Sequence, residues 1–211
     1  GSDPTNGKIT VPATSFVNGG TVKLTTPTLQ LDGKIASTVN DITIDSNRTG
    51  AAAKRLDVVM GAGSSLTAPN TKAVNFNPNA GANGGLINVT GPGAITAGSV
   101  GVNGGVNSVN IDVNSISCCV VGLGAAGGTL GAPLGGSSIS VKVTSDAGGA
   151  PGLGPIYSPG AISFTDTDPA GKVSICGNTE SGTGITVTAP ELKFNGAFAL
   201  KSTGGNINLQ S

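Results

Sequence analysis

A chain of 211 residues is long enough to bury a core, since a compact fold of this size removes roughly 70% of its unfolded surface from water. Its 11 basic and 11 acidic residues cancel, and charged residues make only 10% of the chain. That balance excludes a nucleic-acid footprint and the charge-rich composition of disordered chains, while the lack of histidine excludes Ser-His-Asp and Cys-His triads.

In chain order, the start Gly-Ser-Asp-Pro reads as a processed end, any export signal having been removed. Short period-two alternations follow: Val22-x-Leu24, Leu29-x-Leu31 and Ile42-x-Ile44. Residues 50–58 (GAAAKRLDV) are the one stretch able to hold a helical turn or two, and they contain the only adjacent basic pair, Lys54-Arg55. Beyond them come Val109-x-Ile111-x-Val113, Ile139-x-Val141-x-Val143 and Val173-x-Ile175. Each predicts a strand with one face buried and Thr, Ser, Asn, Asp or Lys outside. No apolar run approaches the roughly 18 residues of a membrane helix. The 36 Gly and 12 Pro punctuate these runs instead of forming tracts, which predicts an ordered protein with many turns.

Nine anchors taken from successive runs are Val22, Ile42, Leu66, Ile87, Val109, Ile139, Ile162, Ile185 and Ile207. Their spacings are 20, 24, 21, 22, 30, 23, 23 and 22 residues. The long gap contains 118–136 (CCVVGLGAAGGTLGAPLGG), which reads as a loop inserted in one repeat. Residues 22–46 also align with 185–211: Thr26-Pro27 falls on Ala189-Pro190, Leu29 and Leu31 on Leu192 and Phe194, and Gly33 on Gly196. The shared unit is a strand, a Pro corner, a second strand, a Gly-rich turn and a third strand. A unit of about 20–24 residues is too small to fold alone, but stacked coil on coil it fills one continuous core. The reading is therefore a single all-β domain over 1–211, a right-handed parallel β-helix of about nine coils with Ile42, Ile87, Ile162 and Ile207 in one file. A β-sandwich, with a turn signal every 8–12 residues, is the alternative.

The repeats at 184–211 (GITVTAPELKFNGAFALKSTGGNINLQS), with TPTLQLDGKIAS, DITIDS and GAITAGSVGVNGG earlier, resemble the filamentous haemagglutinin-like exoproteins of bacterial two-partner secretion. The resemblance is one of repeat style over most of the chain. It implies a right-handed β-helix exported through an outer-membrane pore and acting in adhesion, aggregation or biofilm. The secretion motifs NPNL and NPNGI are not matched, because Asn77-Pro78-Asn79 is followed by Ala80.

Sites of chemistry are few. Cys118, Cys119 and Cys176 read as buried small hydrophobes or as a disulfide joining Cys176 to one of the other two. Three Cys without His do not make a zinc site, and no cofactor or metal is expected. Asp166-Thr-Asp168 reads as a solvated turn, lacking the other ligands of a calcium loop. Asp41 and Asp45 read as solvent-facing charges. Two loops, 118–136 and 148–160, offer Leu123, Leu130, Leu134, Ile156 and Tyr157 as contact residues. The expected role is a non-enzymatic structural or adhesion module, extracellular or on a bacterial cell surface. Its expected partners are surface glycans or proteins of a host or neighbouring cell, or its own copies end to end, with neither nucleic acid nor membrane insertion. Alternatives are a carbohydrate-active β-helix enzyme or carbohydrate-binding module and, from Thr26/Thr28, Thr165/Thr167 and Thr186/Thr188, an ice-binding face.

Overall fold

A computed structural model describes residues 7–46, 54–78, 85–102, 108–122, 138–145 and 150–211. Within these residues the chain is all β, without a helix. The first coil holds β1 (Lys8–Val11), β2 (Phe16–Gly19) and β3 (Val22–Thr25); the second holds β4 (Thr28–Leu31), β5 (Lys34–Ser37) and β6 (Ile42–Asp45). The third holds β7 (Lys54–Met60), β8 (Ser65–Thr67) and β9 (Ala73–Asn77). In the fourth and fifth, one long strand replaces the first two: β10 (Gly85–Thr96) with β11 (Ser99–Val102), then β12 (Val109–Ile116) with β13 (Cys119–Gly122). Three strands return in the sixth coil, β14 (Ile139–Val143), β15 (Gly152–Leu153) and β16 (Ile156–Ser158). The seventh has β17 (Ala161–Asp166), β18 (Lys172–Ile175) and β19 (Thr179–Ser181). The eighth has β20 (Gly184–Thr188), β21 (Glu191–Phe194) and β22 (Leu200–Ser202), before the last strand, β23 (Ile207–Gln210).

Every strand partner is the equivalent strand one coil away, and every pairing is parallel. One sheet runs β1-β4-β7-β10-β12-β14-β17-β20-β23, nine strands deep; a second runs β3-β6-β9-β11-β13-β15-β18-β21. The remaining strands differ between the halves: in the early coils β2-β5-β8, joined to β10, lie between the first and second sheets along the chain, whereas in the late coils a separate third sheet, β16-β19-β22, follows the second. Between two paired strands the chain visits the other faces, which is the path of a parallel β-helix. Such crossovers are right-handed almost without exception. A sandwich would need antiparallel ladders, and among the described residues there are none.

Period-two alternation produces the core. Ile87, Val109, Ile139, Ile162, Ile185 and Ile207 form one register file, and Leu29, Val58, Val89, Ile111, Val141, Phe164, Val187 and Leu209 the next. All are buried except the terminal Ile207 and Leu209. Each fully buried aliphatic or aromatic side chain contributes about 1.5–3 kcal/mol, so many thin layers compensate for the scarcity of aromatics.

The anchors did not all fall on one face. Ile42 pairs with Val22 and with Val74 in the second sheet, and Leu66 pairs with Ile35 and Ile95 on the β5-β8-β10 edge. Ile42 thus stands outside the file of Ile87, Ile162 and Ile207. The three apolar runs of a coil look alike, so even spacing stepped from face to face. True coil lengths vary more: Asp57 and its partner Asn88 are 31 residues apart, Asn88 and Asn110 are 22 apart, and Ser108 and Ser138 are 30 apart. For the same reason 22–46 and 185–211 align one face out of phase, with β3 in the second sheet and β20 in the first.

Two further expectations change. Of the candidate helical stretch 50–58, residues 50–53 lie outside the described residues, and 54–58 belong to strand β7, which pairs with β4 and β10; Val58 is β-branched and fits a ladder better than a helix. The segment 118–136 does not all stand apart, because Cys118 is buried and Cys119–Gly122 is β13. Leu123, Leu130 and Leu134 lie outside the described residues.

Candidate functional site: the disulfide clasp, the outer notches and the open end

Strand parity distinguishes the cysteines. Cys118 and Val120 share the inward parity and are buried, whereas Cys119 points out. Cys119 is bonded to Cys176, just past β18, and Cys118 is free. Burial pushes the Cys118 thiol up to about 12, with a backbone hydrogen bond from Ala97 pulling weakly the other way. It is therefore a neutral, inert core thiol at physiological pH. The bridge crosses an intervening coil, since β15 lies between β13 and β18. Gly152 makes the crossing possible: a Cβ there would lie 2.6 Å from the Cys176 sulfur and 2.7 Å from that of Cys119. This role of Gly152 escaped sequence reasoning, because only the register Cys119–Gly152–Ser174 reveals it.

The outer face of the first sheet carries polar ladders. Asn88 Nδ2 donates to Asp57 Oδ1 at 3.3 Å, and Asn110 Nδ2 donates to Asn88 Oδ1 at 2.8 Å. Near them a β-bulge at Gly91–Ala94 opens a notch of about 270 Å³ lined by Thr90, Pro92, Asp112, Asn114 and Thr144. Thr144 Oγ1 donates to Asn114 Oδ1 at 3.1 Å, and Lys142 stands 3.8 Å from Asp112. Gly91 has φ of +113°, and a Cβ there would meet the Met60 carbonyl oxygen at 2.1 Å.

A second cleft, of about 470 Å³, is lined by Asp166, Thr167, Asp168, Pro169, Thr188 and Pro190. Asp166 is buried, not solvated as its sequence setting indicated. Its Oδ1 accepts the Asp168 N–H at 2.9 Å, and Asp168 Oδ1 accepts the Ala170 N–H at 2.9 Å, so successive Asx turns build the corner. Asp41 and Asp45 do not act as a carboxylate pair. Asp41 accepts the Ala73 N–H at 2.9 Å, while Asp45 meets Lys23 at 3.1 Å on the neighbouring coil. No group of three or more Cys, Asp or Glu suited to a metal occurs among the described residues.

Of the loop contacts, Ile156 is buried on β16, because the described part of the segment, 150–160, is not a free loop: it contains β15 and β16 and threads the core through Leu153 and Ile156. Tyr157 is half-buried on the outside of the third sheet, in register with Glu180. The T-x-T pairs do not make a broad threonine face. Thr26 is buried and donates to the Thr28 carbonyl, and the file holding Thr165 and Thr188 continues into Lys142 and Gln210.

Towards residue 211 the inward apolar side chains become partly exposed. Phe194, Ile207 and Leu209 are 48, 40 and 44% exposed, although the alternation aims them inward. β21, β22 and β23 each have a neighbour on one side only. At the other end the inward Val11 and Val22 are buried, and Phe16 and Val17 of β2 are exposed.

These features define the class of protein: an all-β parallel solenoid with a stapled flank. No family model matches the chain, and neither a curated protein nor a solved structure matches it.

Proposed function

We propose that the chain is an extracellular structural and adhesion module, a rigid rod from a bacterial surface exoprotein or fibre that associates with a second copy end to end. The observation that carries this reading is the repeat itself: each described strand pairs in parallel with its counterpart one coil away, a geometry that a second copy can continue. An unpaired, flat, apolar edge is a template for another chain. Nine strands at about 4.8 Å spacing make a body on the order of 40 Å long. The Cys119–Cys176 bridge supports an oxidising location outside the cytosol. Adhesion to surface glycans or proteins belongs to the same proposal, Tyr157 being its one candidate contact among the described residues.

Light scattering over a wide concentration range tests the assembly. The expected result is a mass that rises beyond the dimer, and that falls to the monomer in Phe194→Asp and Leu209→Lys. A native chain that stays monomeric at the highest concentration sinks the end-to-end reading.

The notch beside Gly91 favours a second reading, a carbohydrate-binding module. A carboxylate, an amide and hydroxyls lining one recess, with the Lys142 ammonium 3.8 Å from Asp112, suit the hydroxyl pattern of a sugar. Titration calorimetry with a panel of neutral and acidic oligosaccharides is expected to find a ligand that Asp112→Asn weakens at least about tenfold, some 1.4 kcal/mol. Binding unaltered by that change, or no binding at all, removes this reading.

A further inference from the structure

We propose that the Cys119–Cys176 bridge is a redox-sensitive clasp that holds the short rung Gly152–Leu153 in place, so that reducing it opens the second sheet at one coil while the first sheet stays closed. Three observations converge on this point. β15 is only two residues long and pairs through just Gly152 and Leu153, with Cys119 and Val120 on one side and Ser174 and Ile175 on the other. Elsewhere in that sheet, neighbouring strands pair over four residues, as β9 with β11 or β18 with β21. The first sheet has no such weakness in this coil, where β14 pairs with β12 and β17 over five residues each.

The bridge brackets the weak rung. Cys119 and Cys176 approach to a Cα separation of 6.6 Å although a coil intervenes, where two interstrand spacings would be about 9.6 Å. The chain between them has no side chain at Gly152, so the two sulfurs lie against its backbone from outside. Leu153, buried on the inner side, is then held by the core and the clasp together. With the bond cut, that rung keeps its few ladder bonds, the Thr179 hydroxyl on the Gly154 carbonyl at 2.9 Å and the burial of Leu153. Local opening is governed by such local contact density. The chemistry balances with a dithiol reductant. Dithiothreitol supplies two electrons and two protons, the S–S bond becomes two thiols, and the reductant closes to its own cyclic disulfide. Cys118 takes no part, because it points into the core and stays protonated.

Hydrogen exchange followed by mass spectrometry, with and without dithiothreitol, tests the clasp on the intact chain. Exchange at 119–122 and 150–155 is expected to quicken at least about tenfold on reduction, while 139–143 and 162–166 change less than about twofold. Equal acceleration in both sheets, or none at the rung, overturns the proposal. The double variant Cys119→Ser with Cys176→Ser should show the opened pattern without reductant; a closed pattern in it counts against the clasp. If that variant does not fold, the reductant series on the native chain decides alone. Thiol titration gives an independent arm. The native protein should expose no reactive thiol before reduction and two after it, whereas Gly152→Ala should expose two from the start. A native-like thiol count in Gly152→Ala would show that the bridge does not need the passage over residue 152.

Discussion

Single atoms decide several features of this molecule. At Gly91 the backbone takes φ of +113°, and the Met60 carbonyl occupies the space of a side chain, so the bulge and the notch beside it depend on a missing Cβ. At Gly152 the missing Cβ lets two sulfurs meet across a coil. Cys118 is the opposite case, a titratable group silenced by its surroundings. Its folded pKa is raised from 9.0 to about 12, so the folded state favours the neutral thiol. The associated stability is fully present below pH 9 and is lost as pH rises from there towards 12. Each pH unit in that window should cost on the order of 1 kcal/mol. Urea unfolding at pH 8, 9 and 10 should show this decline in the native chain and a shallower one in Cys118→Ala. Parallel slopes would assign the alkaline loss to other groups.

Strands in this fold are short, and each is stable only because its neighbours repeat it. Outer ladders such as Asp57–Asn88–Asn110 satisfy amide groups from coil to coil, while inner files exclude water. Phe76 and Phe164 are the largest fully buried side chains, both with no exposed surface. Phe164 stands between Val141 and Val187, so truncation leaves a cavity bounded by rungs that backbone hydrogen bonds hold at fixed spacing. Phe164→Ala is accordingly expected to cost about 3–5 kcal/mol, measured by denaturant unfolding. A loss under about 1 kcal/mol would mean that the coils close up around the gap. Strand lengths also locate the fragile element. β15, between longer partners, is where the second sheet is thinnest and where a covalent bond takes over from the ladder.

At the scale of the molecule, parallel pairing gives every rung the same direction along the stack. Head-to-tail contacts between copies of such a stack do not close on themselves and generate open chains, which is why the scattering experiment should find masses beyond the dimer. Much of this architecture was legible in the sequence. Alternation in Val109–Val113 or Ile139–Val143 reports a half-buried strand through backbone geometry alone, and recurrence every 20 to 31 residues reports stacking, because a unit so small has no core of its own. Local chemistry also determined the corners, as at Thr26-Pro27 and Asp166–Gly171, where a short side chain bonds the nearby backbone. What only the tertiary structure decided was which of three similar faces each run joins. Ile42 and Ile87 carry the same pattern yet sit in different sheets, because face assignment depends on how much chain lies in each corner. The pairing of Cys119 with Cys176, the passage over Gly152 and the burial of Ile156 follow from that assignment. Each rests on contacts between residues tens of positions apart, which no local pattern encodes.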